Sequence, residues 1–102
     1  MSRSTTREAA ARLAREIAQE KAAALGRAGE RLQAALDEAA ALAARIRATD
    51  DPTARAALVR QYEAVRTRAS QARLALVVQR EAIGLRQHRA VEQHFPEPPR
   101  LT

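Results

Sequence analysis

Apolar residues in the second half of the chain fall at Leu58, Tyr62, Val65, Ala69, Ala72 and Leu76, in alternating steps of four and three. That is the seam of a coiled-coil helix, which returns an apolar side chain to the same face every 3.5 residues. The same face continues through Gln79, Ile83 and Ala90, with polar Gln79 interrupting it. The first half repeats differently. Leu13, Ala24, Ala35 and Ile46 recur every 11 residues, as do Ile17, Ala28 and Ala39, and Ala14, Leu25 and Leu36. An 11-residue repeat is about 3.67 residues per turn, close to an unstrained helix, and predicts a nearly straight rod.

The ends of these helices are written in local chemistry. Thr5-Thr6-Arg7-Glu8 has the form of a capping box, in which a hydroxyl and a glutamate satisfy backbone donors at a helix start. Thr49-Asp50-Asp51-Pro52 predicts a stop followed by a new start, with aspartate as N-cap and proline in the first turn. The next clear breaker is His94-Phe95-Pro96. Helices over about 6–48 and 52–94 follow, each roughly 65 Å long at about 1.5 Å per residue. Equal arms around a tight turn predict an all-α fold: a long antiparallel, coiled-coil-like helical hairpin. The expected domain is residues 1–94, followed by a proline-rich tail, 95–102, in extended polyproline II form. Gly26 and Gly29 give the alternative, a three-helix bundle broken there. The 11-residue pattern keeps its phase through them, which favours one continuous helix.

A seam rich in alanine buries little area, and such a thin interface holds two long helices weakly. Leu74-Ala75-Leu76-Val77-Val78 is apolar on every face, with Leu85 extending the outer stripe. A helix apolar all round is buried all round. The expectation is therefore a homodimer of hairpins forming a four-helix bundle, or the same face closed by a different protein, through Leu74, Val77, Val78 and Leu85. Gly84 reads as a place where another helix crosses closely, or as a tolerated flaw in a long helix.

Charge adds a second candidate. The chain carries a formal net charge of +6, and Lys21 is the only lysine among 18 basic residues. The segment 52–94 holds eight basic and three acidic residues. Within it Arg66, Arg73 and Arg80 recur every seven residues beside the seam. Such a row either tracks the phosphates of a nucleic acid or pairs across the hairpin. Folding at Asp50 places Asp37 and Glu38 near Arg66, Glu30 near Arg73, and Glu20 and Glu16 near Arg80, which favours pairing.

The residues offer no catalytic constellation. Cysteine is absent, and the three glycines, Gly26, Gly29 and Gly84, form no phosphate-cradling loop. His88, Glu92 and His94 make a weak metal motif and read more simply as solvated residues near a helix end. Tyr62 reads as a core anchor. Phe95, Pro96, Pro98 and Pro99 form a helix stop, or a docking peptide for a groove. No cofactor or metal is expected. No apolar run is long enough to span a membrane, and a cytoplasmic location is the default expectation. Taken together these features predict a non-enzymatic, self-associating helical adaptor, scaffold or assembly factor. The alternative is a small basic architectural nucleic-acid-binding protein using the arginine face, and a basic helix lying on a membrane surface is a third, less favoured reading.

Overall fold

The first helix, α1, runs without interruption from Arg3 to Arg47 in a computed structural model that describes residues 3–101. The helix α2 spans Pro52–Ala82, and a short helix α3 spans Arg89–His94. Among the described residues there is no strand. The molecule is long and thin, 75 × 22 × 15 Å. Residues 1, 2 and 102, the outermost parts of the expected domain and tail, lie outside the described region.

Helix α1 passes straight through Gly26 and Gly29, so the three-helix alternative broken at that point does not form. A glycine costs a helix interior roughly 1 kcal/mol against alanine, and packing on α2 just beyond these positions outweighs that. The helix already exists at Arg3, so Thr5 and Thr6 sit inside its first turns instead of capping it at residue 6. Nothing in Arg3-Ser4 is a helix breaker, and the backbone bonding extends upstream.

The turn forms where the sequence places it. Thr49 Oγ1 donates to the Arg45 carbonyl at 2.6 Å, closing the end of α1. Asp51 has extended backbone angles, and its carboxylate accepts the Ala54 amide at 2.8 Å, with Pro52 following in the first turn. Helices α1 and α2 then pack antiparallel. One core cluster joins Ala39, Leu42 and Ile46 to Leu58, Tyr62 and Val65. The other joins Ala28, Leu32 and Ala35 to Ala69 and Leu76. Both buried faces step by fours and threes, so this stretch of α1 uses a heptad seam.

The second arm departs from expectation. It ends at Ala82, twelve residues short of His94. Gly84 adopts a left-handed φ of +90°. Its amide bonds the Glu81 carbonyl and the Leu85 amide bonds the Arg80 carbonyl, both at 3.0 Å. This is a Schellman stop, which requires a left-handed residue and so favours glycine. Gly84 is therefore a C-terminal cap and not a flaw inside a continuing helix, and a Cβ there would meet nothing of this chain within 4 Å. The physical reason lies in the seam. Continued at heptad spacing past Leu76, α2 would present Gln79, Ile83 and Arg86 to Leu25, Lys21 and Ala18 of α1. Little apolar area is gained there. Folding back instead buries Val91, only 4% exposed, in the cluster of Ala28, Leu32 and Leu76, with Phe95 packed beside it.

Residues 85–101 thus form a strap that returns along the hairpin toward its turn. Leu101, near its end, packs with Ala43 and Val59 against the cluster nearest that turn. Because α2 stops early, α1 overhangs it, and residues 3–23 of α1 are exposed along their whole length.

Candidate interaction surfaces

The three arginines at seven-residue spacing lie together on the side of α2 that faces the strap. Arg66 Nε donates to the Pro98 carbonyl at 3.2 Å. A guanidinium nitrogen of Arg73 donates to the Phe95 carbonyl. Arg80 donates to the Gln87 carbonyl at 2.8 Å and to His88 Nδ1 at 3.3 Å. The row therefore grips the main chain of the strap at successive points. Tyr62 adds a further grip, its hydroxyl donating to the Pro99 carbonyl. Burial of the Tyr62 ring pushes its phenol above the ordinary value, the nearby Arg66 charge works against this, and Glu63 adds to it.

The expected cross-hairpin pairing of the row is not what the structure contains. Arg66 pairs with Glu63 one turn away on its own helix at 3.1 Å. Glu38 is met by Arg68, which lies on the opposite flank of α2. Among the described residues, Arg73 and Arg80 have no carboxylate within 4.0 Å. Flank is the cause. The seams bring Arg66 level with Glu38, but Glu38 lies on the side of the hairpin that Arg68 occupies, and the strap fills the side that carries the arginine row.

The prolines of the tail lie on the chain's own hairpin. Pro96, Pro98 and Pro99 border a shallow groove whose other wall is Leu36, Ala39, Ala43 and Tyr62. His88 is held at the start of the strap, its Nδ1 accepting from Arg80 and its Nε2 lying 3.3 Å from a Glu81 carboxylate oxygen. Glu92 and His94 are exposed. Among the described residues, no three His, Cys, Asp or Glu side chains gather closely enough to hold a metal ion.

The apolar belt on α2 is divided. Leu76 is buried in the hairpin core and Val77 is half-covered, but Leu74 is 65% exposed and Val78 55% exposed. Leu74 and Val78, four residues apart, lie on the back of α2 away from α1. Leu85 and Ile83 are exposed at the end of α2, and Leu13 and Ile17 on the α1 overhang. Ile17 and Ile83 border the same hollow, together with Ala14, Ala18 and Lys21. The sequence marked Leu74, Val78 and Leu85 as outward-facing. It did not mark Leu13 and Ile17, because an equal-armed hairpin would have covered them.

No helix among the described residues is long and apolar enough to cross a membrane. No protein-family model, curated protein or solved structure matches the chain.

Proposed function

We propose that this chain is a non-enzymatic helical adaptor that works through protein–protein contacts and associates with a second copy of itself. The observation that carries this reading is the set of large apolar side chains left uncovered near the Gly84 end: Leu13, Ile17, Leu74, Val78, Ile83 and Leu85. Single exposed leucines are ordinary on protein surfaces, whereas a group of them on neighbouring elements marks an interaction site. The strap covers only one flank of the hairpin. A second hairpin laid against the back of α2 and the α1 overhang would shield the remainder and complete a four-helix arrangement. Leu74, Val77, Val78 and Leu85 are the contacts assigned to it.

The test is native mass by light scattering with refractive-index detection, across a wide concentration range. Twice the chain mass is expected, falling to a single chain for Val78→Asp, which places a charge in the centre of the interface. A wild-type chain that stays monomeric at the highest concentration overturns self-association.

A further inference from the structure

We infer that the groove now filled by the strap is a docking site for an acidic amphipathic helix of another protein, which displaces residues 85–101 when it binds. This site is on the flank of α2 that carries Arg66, Arg73 and Arg80, away from Leu74 and Val78; of the contacts assigned to self-association, Leu85 alone belongs to the strap.

Two observations define the occupant. The first is shape. The strap already places a helical turn in the groove, and α3 enters with an apolar pair four residues apart, Val91 and Phe95. The receiving surface is the cluster of Ala28, Leu32 and Leu76 that takes up Val91, with Leu36 beside it. It therefore accepts the i, i+4 stripe of a helix.

The second is charge. The guanidiniums of Arg73 and Arg80 spend their hydrogen bonds on main-chain oxygens and a histidine nitrogen, all neutral acceptors. Both side chains are half-buried, and neither has a carboxylate within reach among the described residues. Neutral acceptors satisfy the donors but leave the positive charges unbalanced. A carboxylate satisfies both, and with arginine it can do so in a bidentate, charge-assisted pair. Seven residues of helix rise about 10.5 Å, so a partner with Asp or Glu seven residues apart matches Arg73 and Arg80, while Arg66 already has Glu63. Duplex nucleic acid fits less well, because its phosphates would have to lie over an apolar groove floor.

The probe is a synthetic peptide of about three heptads, with leucines on one stripe and glutamate beside it at every seventh position. Its control carries glutamine in place of each glutamate. Binding to the full-length chain is read by fluorescence anisotropy, and the strap by the NMR signals of Val91 and Phe95. The glutamate peptide is expected to bind about ten-fold more tightly than the glutamine peptide, while the Val91 and Phe95 signals move to their free-chain positions. Arg73→Gln should remove most of that preference. Val91→Ala, which loosens the strap, should strengthen peptide binding, because the strap is the competitor. Equal affinity for both peptides, binding with the strap still seated, or weaker binding to Val91→Ala each overturns the inference. So does displacement of the strap by a short DNA duplex while the peptide stays inert.

Discussion

The hydroxyl of Tyr62, on the buried seam of α2, donates to the main-chain oxygen of Pro99, 37 residues further along the chain. One side chain therefore belongs to the hairpin core and to the strap that closes over it. The ring is 1% exposed, and its polar end is satisfied only because the chain turns back at Gly84. Tyr62→Phe keeps the ring and removes the donor. A loss of about 1 kcal/mol is expected in urea unfolding, with faster amide exchange along residues 95–101.

Ionisation of the same phenol gives an alkaline signature. Burial raises its folded-state pKa above the unfolded value near 10. The folded chain then holds the proton more tightly, so the stabilisation is complete below about pH 10 and falls as pH rises between the two pKa values. Tyr62 is the only tyrosine, so phenolate absorbance reports it alone. A stability profile of Tyr62→Phe should lack that component of the fall above about pH 10, and superimposable wild-type and variant slopes would refute it.

Gly84 and Gly26 should respond to alanine in opposite directions. At Gly84 the left-handed backbone, φ +90°, penalises any Cβ by roughly 1 kcal/mol, and Gly84→Ala is expected to loosen the strap and lower the melting temperature. At Gly26, inside α1, an added methyl group would meet nothing within 4 Å, and alanine is expected to stabilise by up to about 1 kcal/mol. Thermal unfolding followed by circular dichroism measures both.

Val91→Ala removes buried methyl groups from the cluster that anchors the strap. A full core truncation would cost about 2 kcal/mol or more. Here the strap can undock without melting the hairpin, so the global loss is limited to the docking free energy. Hydrogen exchange should rise sharply over residues 89–101 and change little at Leu42, Leu58 and Val65. A uniform rise over the whole chain would show that strap and hairpin unfold together.

Asp51→Ala removes the acceptor for the Ala54 amide at the start of α2. About 1 kcal/mol of stability should be lost, and Asp51→Asn should recover most of it. Equal melting temperatures for the alanine and asparagine variants would show that the cap contributes nothing.

Much of this molecule is legible in short-range patterns. The seam from Leu58 to Leu76, the turn at Asp51-Pro52 and the continuity of α1 each follow from spacing or from one side chain acting on the backbone a few residues away. A heptad face, a cap and a proline need no distant partner to express themselves. The arginine row is equally visible as a period of seven, but its partners are not. Arg66, Arg73 and Arg80 are held by carbonyls, and every residue type supplies a carbonyl, so no sequence signal announces them. Gly84 is the available clue, since a glycine followed by an apolar residue at the end of a seam can cap a helix.

The pair of amphipathic helices and the turn that sets them antiparallel are thus encoded locally, in propensity and in residues brought together along one face. Where the second helix ends, and which flank its continuation covers, is settled by packing. Residues 83–94 contain no proline and read as helix, and their fate rests on a comparison between two distant surfaces. Continuing straight would set Arg86 against alanines of α1, whereas folding back buries Val91 and Phe95 and supplies acceptors to a row of guanidiniums. That difference in burial and hydrogen bonding exists only once α1 and α2 have packed.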